Sequence, residues 1–500
     1  MSYINWGNET PEQKAARLKL EEQAIYEQAA KMRSSRTAQA PAIGGGSAAG
    51  GGSIFAEDSG LGSTVRKDLS NCASGSWSTV SGGYFNCAFG SRSVVSGGYC
   101  NTASGYFATV SGGFRNAADG GRSTVGGGYC NTASVYSTVS GGYRNTASGY
   151  MSNVNGGRLN CANNSFTTVS GGTNNTASGD RSTVSGGTLN TASGSHSKVG
   201  GGKNNTASNN YSTISGGSGN TASANYSTVG GGNSNCATSY ASTVSGGLSN
   251  TASGPRSTVS GGQSNSASSN YSTVGGGYFN CASGPRSTVS GGQSNTAASE
   301  YSTVGGGRNN CVSGIQSTIG GGCCNTSTGG GAAIGGGRAN TASNCYSTVS
   351  GGYINTSSGN NSSIGGGTLN TSSNLNTIVA GGGNNTASAN GSAILGGYGN
   401  ITSGEYSSLG AGALNTASGC LSTVSGGYRN CANSRASAIL GGCNNSTNLC
   451  NCAMIVGSGI TADRACATFV NNLSIKNIPT SASGLPSGSI WSDAGKLCIV

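Results

Sequence analysis

The sequence predicts an all-β protein, a parallel β-solenoid of about 26 fifteen-residue coils, and three observations carry that reading. The phrase Asn-Cys-Ala-Ser-Gly-Ser-Trp-Ser-Thr-Val-Ser-Gly-Gly-Tyr-Phe opens at Asn71. It recurs at Asn86, Asn101, Asn116 and Asn131, then from Asn145 at every fifteenth residue to Asn445. A fixed short period marks a solenoid, in which each repeat is one coil that cannot bury its apolar face alone. The tenth position holds a branched aliphatic residue in the first 25 phrases, including Val80, Val110, Val184, Val259, Val349 and Val424. The last phrase puts Met454 there. Two glycines follow that position in most phrases, and glycine supplies the positive φ that tight corners demand.

The elements follow in chain order. Residues 1–40 form an N-terminal docking or coiled-coil segment. Thr10-Pro11-Glu12-Gln13 combines an N-cap hydroxyl, proline at the first helical position and glutamine to complete a capping box, so a helix is expected to about Met32 or Arg33. Ala15, Leu18, Ile25, Ala29 and Met32 make its narrow apolar seam. That seam suits either a parallel coiled coil between copies or a helix seated in another protein. Residues 41–70 comprise a Gly/Ser-rich linker, Gly44 to Ser53, and an unassigned adaptor over 54–70.

Residues 71–459 are the shaft. In the phrase from Asn250 to Ser264, Thr251-Ala252-Ser253 and Ser257-Thr258-Val259-Ser260 read as short strands, with turns at Gly254-Pro255-Arg256 and Gly261-Gly262-Gln263-Ser264. Strand alternation places Ala252 and Val259 inward. Asn250 and its equivalents are expected to stack as an amide ladder. The single register break, the 14-residue phrase 131–144, carries its aliphatic residue, Val139, one place early. One Val and one Ala per coil make a thin core, which predicts self-association.

Residues 460–500 form a small β tip. A strand is expected from Phe469 through Ile478, then a hairpin of Ser489–Ser492 and Lys496–Val500 turning at Asp493-Ala494-Gly495. The tip departs from the repeat and gathers Ile490, Trp491, Leu497 and Ile499. It is therefore the expected recognition surface, with Ile490, Trp491 and Leu497 as candidate receptor-binding residues.

Composition limits the remaining choices. With 93 Gly among 500 residues and 8% charge the chain resembles a disordered one, yet a chain that buries no core needs no strict apolar register. The net charge is +11, but between 71 and 459 only 14 Lys or Arg stand against 4 Asp or Glu. That density is too low for nucleic acid and is read as a solvated face. No apolar leader opens the chain and no run is long enough to cross a bilayer, so membrane insertion is not expected. Seven of the 18 Cys replace Thr at the second position (Cys72, Cys87, Cys161, Cys236, Cys281, Cys311, Cys431). There they act as half-buried fillers, which fits synthesis in a reducing cytosol.

The phrase resembles the head repeats of trimeric autotransporter adhesins and haemagglutinin-like proteins. Ser257-Thr258-Val259-Ser260-Gly261-Gly262 occupies the place of their Ser-Val-Ala-Ile-Gly, and Ser392-Ala393-Ile394-Leu395-Gly396-Gly397 and Ser437-Ala438-Ile439-Leu440-Gly441-Gly442 come closer still. The resemblance implies a left-handed β-roll, three chains side by side and a role in surface attachment. The export signal and C-terminal membrane anchor of those adhesins are not matched here. The two ends instead resemble those of phage or large-virus fibres.

Catalytic chemistry finds no foothold. His196, the one histidine, sits at a variable corner. Cys323-Cys324 and the Cys450/Cys452 pair lack the partners of a zinc site. Gly200-Gly201-Gly202-Lys203 lacks the ending of a phosphate loop. Asp119, Asp180, Glu300 and Glu405 fall on distant coils, where a glycoside hydrolase needs two carboxylates together. No enzyme activity, cofactor or metal is expected. The expected function is a structural fibre or adhesin on a virion or extracellular surface. It would attach through its N-terminal helix to a particle and through its tip to a host glycan or protein. The alternatives are an ice-binding solenoid with Thr/Ser ladders and, less favoured, a phage-tail glycan depolymerase.

Overall fold

The computed structural model describes residues 55–56, 58–66, 70–472, 474, 478–493 and 496–499. Of the chain's two units, Met1–Ile54 lies outside the described residues, and with it the expected docking helix and the Gly/Ser linker. The second unit, Phe55–Val500, is an all-β parallel solenoid of about 27 turns.

Each coil contributes one strand to each of two long parallel sheets. In the coil from Asn250 these are Thr251–Ala252 and Thr258–Val259. Both pair in register with the next coil, Ala252 opposite Ala267 and Val259 opposite Val274. Register follows from the burial pattern, since a one-residue slip would turn every inward side chain to solvent. Ala252, Ser257 and Val259 are completely buried, Thr251 and Thr258 half-buried, and Ser253 and Ser260 exposed. Val80, Val110, Val184, Val349 and Val424 are equally buried in their own coils. A third ladder, absent from the two-strand expectation, runs through single-residue bridges at position 14, Gln263 to Tyr278 to Gln293. At a strand spacing of about 4.8 Å, the stack spans roughly 130 Å.

The buried Asn residues do not form the simple amide ladder expected. The Asn250 Oδ1 accepts the backbone N–H of Asn265 at 2.9 Å, and its Nδ2 donates to the carbonyls of Gly246 and Gly262 at 2.9 and 2.8 Å. This clamp recurs from Asn86 to Asn445. Direct amide-to-amide bonds accompany it only at Asn265, Asn415 and Asn445 among the described residues. Each side chain thus satisfies backbone groups of its own and both neighbouring coils, which a buried polar group requires. Gly262, one of the clamped carbonyls, has φ +85°, and a Cβ there would collide with the Gly277 carbonyl and the Asn265 Nδ2.

The pairing starts before the repeated phrase and ends after it. Thr64–Arg66, within the unassigned adaptor, pairs in parallel with Thr79–Val80, and Phe55–Ala56 covers its free edge as an antiparallel strand. At the other end Thr468–Val470 pairs in parallel with Met454–Val456, and Phe469 packs on the core. The short phrase 131–144 loses its residue in the corner at Ser134–Tyr136, while Thr138–Val139 stays paired on both sides.

Two expectations need correction here. Met454 is exposed, and Ile455 takes the buried place opposite Ile439. The first corner of the last coil holds one extra residue, with Asn448, Leu449 and Cys452 at positive φ, and the second corner one fewer, so Ile460 still donates to the Asn445 Oδ1 fifteen residues on. Among the described residues, the strand expected from Phe469 to Ile478 covers Thr468–Val470, and Asn471, Asn472, Ser474 and Ile478 lie outside any strand. Asn471 turns its side chain back to accept the Ser458 N–H at 2.6 Å, which ends the ladder.

Val259→Asp is expected to unfold the central coils, because it buries an unpaired charge. Asn250→Asp should also lower the melting temperature strongly, since its oxygens would face the carbonyls of Gly246 and Gly262. Thr251→Asp, beside it on the outer face, should cost far less. Thermal melts followed by far-UV circular dichroism distinguish the three.

Candidate interaction surface

Small residues line the sheets, but the corners carry large ones. Position 7 is held at positive φ and, apart from Gly331 and Gly391, is seldom glycine: Trp77, Arg92, Phe107, Arg122 and Tyr136 begin the series, and Arg256, Tyr271, Arg286 and Tyr301 continue it, these nine with φ of 54–60°. That conformation costs about 1–2 kcal/mol for an L-residue. The hydrogen bonding explains its persistence. Strand N–H groups donate to the following coil, as Thr258 does to Ser272, whereas the position-7 N–H donates to the preceding one. Arg256 donates to the Tyr240 carbonyl at 2.8 Å and Tyr271 to the Pro255 carbonyl at 2.9 Å. Position 15 repeats the arrangement, with Ser264 donating to the Leu248 carbonyl at 2.9 Å.

The reversal sets the corner side chains of successive coils one above another. His196 and Tyr211 stack with centroids 4.8 Å apart, and Tyr211 and Tyr226 with centroids 5.0 Å apart and planes within 2°. Tyr240 continues the column edge-on at 5.8 Å. The Arg256 guanidinium then lies between Tyr240 and Tyr271, at 5.4 and 5.2 Å, and Arg286 between Tyr271 and Tyr301, at 5.8 and 5.2 Å. Nearer the start, Arg92 covers Phe107, Arg122 covers Tyr136, and Arg181 covers Phe166. A second column stands at position 14, where Tyr84, Tyr99, Phe114, Tyr129 and Tyr143 stack at 5.0–6.0 Å and Arg158 lies over Tyr143.

These rings spend their faces on each other, so edges, hydroxyls and guanidinium groups meet the solvent. Exposed cation–π pairs are worth about 0.5–1 kcal/mol each and hold long Arg side chains in place. The Arg256 Nη1 also donates to the Tyr271 hydroxyl at 2.6 Å. Glu300 neutralises Arg286 at 3.1 Å. The column therefore presents a pre-ordered polar and cationic stripe. From the sequence, recognition residues are expected in the tip, and this column is not singled out. The signal was present every fifteenth residue, in the alternation Arg256, Tyr271, Arg286, Tyr301, but it shows only when the phrases are aligned in columns.

The expected recognition residues sit in a separate hairpin. Ile490–Asp493 and Lys496–Ile499 pair antiparallel, with Trp491 opposite Cys498 and Ser492 opposite Leu497. Ile490 is exposed and Trp491 half-buried. His196 is an exposed corner residue stacked on Tyr211. Asp180 and Glu300 are eight coils apart, and among the described residues no group of three His, Cys, Asp or Glu gathers to hold a metal ion. Likewise, no helix there is long and apolar enough to cross a membrane. The in-register pair Cys72 and Cys87 are both thiols and not bridged to each other.

Residues 137–149 match the Ubiquitous surface protein adhesin repeat. No curated protein matches the chain. The matched stretch runs from the valine strand Thr138–Val139 through the Gly141-Gly142 corner and the Asn145 clamp to the strand Thr146–Ala147. It contains both kinds of strand, the glycine corner and the asparagine clamp, with the positive-φ corners at Tyr136 and Met151 just outside it. Solenoid and repeat together point to a structural, surface-exposed, adhesin-like repeat protein.

Tyr271→Ala removes a ring between two guanidinium groups and is expected to cost about 1–2 kcal/mol. Tyr271→Phe keeps the ring and should lose little more than one exposed hydrogen bond. Equal melting temperatures for the two variants would show that ring stacking does not stabilise the corner.

Proposed function

We propose that this chain is the rigid shaft of an adhesin-like fibre, built from three copies and displayed on a virion or another extracellular surface. The observation that carries the reading is the unbroken in-register stack, about 27 turns whose cross-section hardly changes. Such an object holds two ends a fixed distance apart. In this reading residues 1–33 attach the fibre to its particle, which rests on the capped helix in the sequence. The adhesin repeat match supports display at a surface.

Three-fold assembly rests on the resemblance of the repeat. The thin-core argument for self-association loses force, because Asn, Ala, Ser and Val of each coil are already buried within one chain. Association would cover outer faces instead. Recognition of a host glycan or protein is assigned first to the position-7 column from Trp77 to Tyr301, whose ordered guanidinium groups suit an anionic partner. The terminal hairpin of Ile490, Trp491 and Leu497 is the second reading, favoured by the exposure of Ile490 and Ile499. The ice-binding alternative meets outer hydroxyl rows interrupted by Val94, Asn153, Lys198, Ala333 and Ile378.

Negative-stain microscopy of the purified chain should show unbranched rods of roughly 130 Å, and light scattering should give three times the 48.5 kDa chain mass. Compact particles would overturn the fibre, and rods of single-chain mass would overturn the trimer alone. Removing residues 1–33 should abolish incorporation into the parent particle and leave the rods intact; normal incorporation would refute the attachment role.

A further inference from the structure

Cys323 and Cys324 occupy positions 14 and 15 of the coil from Asn310, at the corner of the third ladder. Cys323 is bridged in register between Arg308 and Arg338, so one thiol has a guanidinium side chain on the coil before it and another on the coil after. The Arg308 Nη2 donates to the Cys323 Sγ at 3.7 Å. The Cys324 Sγ lies 3.0 Å from the Cys323 Sγ. Cys324 has φ +60°, and its N–H donates to the Arg308 carbonyl at 2.9 Å, which fixes the corner. Cys323 is half-buried and Cys324 exposed, so a small molecule reaches both.

Cys130 also stands between two arginines, Arg115 and Arg144, but a tyrosine, Tyr129, takes the place beside it that a second thiol takes at Cys323. Burial pushes the thiols of Cys87, Cys130, Cys161 and Cys431 upward. Cys323 moves the opposite way: the hydrogen bond from Cys324 and that from Arg308 favour its thiolate, with the charges of Arg308 and Arg338 adding to them. Cys324 is held protonated, chiefly by the hydrogen bond it gives to Cys323. One nucleophile and one reserve thiol therefore stand in contact.

We propose that Cys323 and Cys324 form a thiol–disulfide exchange site for small anionic disulfides, with Cys323 attacking and Cys324 resolving. The Cys323 thiolate attacks one sulfur of a disulfide such as glutathione disulfide. The S–S bond of that disulfide breaks, a mixed disulfide forms on Cys323, and the first half leaves as a thiolate that takes a proton from solvent. Cys323 then carries no negative charge, so the interaction that kept Cys324 protonated is gone while the Arg308 charge remains. Cys324 gives its proton to solvent and attacks the Cys323 Sγ, and the second half leaves. Two cysteine thiols are oxidised to one disulfide, and one small disulfide is reduced to two thiols. Arg308 and Arg338 attract the carboxylates of the incoming molecule. Thiolate formation beside arginine is the general basis of such reactivity.

The test uses the reduced full-length chain, glutathione disulfide at neutral pH and peptide mass spectrometry. The Cys323–Cys324 peptide should lose two hydrogens before glutathione appears on the exposed thiols of Cys345, Cys452 or Cys466. Cys324→Ser should stop at a glutathione adduct on Cys323. The double variant Arg308→Gln, Arg338→Gln should slow iodoacetamide labelling of Cys323 by about tenfold near neutral pH and move its pH midpoint upward. Far-UV spectra should stay unchanged, since all four residues sit on corners. Labelling of Cys323 no faster than that of Cys345 would overturn the proposal. So would an unchanged rate in the arginine variant, the absence of a trapped adduct in Cys324→Ser, or oxidation that yields only disulfides between chains.

Discussion

Everything in this fold depends on the coil-to-coil hydrogen bond made by the buried asparagines. A coil of fifteen residues has two-residue strands and long corners, so most of its backbone lies outside regular pairing. The Asn250 side chain gathers two glycine carbonyls and the next coil's N–H, and the Gly262 carbonyl also accepts the Leu248 N–H, so side chain and backbone close the corner together. An amide has the right combination, a two-proton donor and an acceptor on one planar group, and neither Asp nor Ser offers it. Repetition then aligns each clamp on the last, which reinforces the register that burial sets.

The corners are governed by a different rule. At positions 7 and 15 the chain turns through positive φ, and the N–H points back toward the preceding coil instead of forward. Backbone bonds, not side chains, hold the turn, so the side chain is free to vary: Arg, Tyr, Phe, His and Asn all stand there. Where glycine is required, at Gly262 and its equivalents, the reason is contact with the next coil's carbonyl. The solenoid separates an invariant interior from a variable edge, and chemistry accumulates on the edge. The aromatic–guanidinium column and the Cys323–Cys324 pair are both edge features.

This separation has a functional consequence. A stack in which each coil touches only its neighbours extends without redesigning its core, and corner substitutions leave its length and stiffness alone. A surface fibre needs that combination, a constant spacer bearing changeable contacts. The core itself tolerates limited exchange: where Ser357 and Ser372 replace the inward alanine, their hydroxyls bond to Ser362 and Thr377.

Much of the architecture was legible from the amino acids. A fifteen-residue period, an aliphatic residue at position 10 and strand alternation were enough to place Ala252 and Val259 inside a parallel solenoid, because burial within a repeat must repeat with it. The same reasoning misplaced Met454, since an added residue in a corner leaves no trace in a positional count; only pairing of Ile455 with Ile439 reveals it. Thr64–Arg66 also went unassigned, because a strand outside the phrase is recognised by what it pairs with. The asparagine clamp and the reversed corner bonds belong wholly to the tertiary structure, and the column from His196 to Tyr301 leaves only a periodic alternation in the sequence. They join residues fifteen positions apart through directed hydrogen bonds and ring contacts, and direction is what a list of residues lacks. Sequence alone determined which strand side chains are buried in the regular coils; the stacking of coils decided which exposed ones meet.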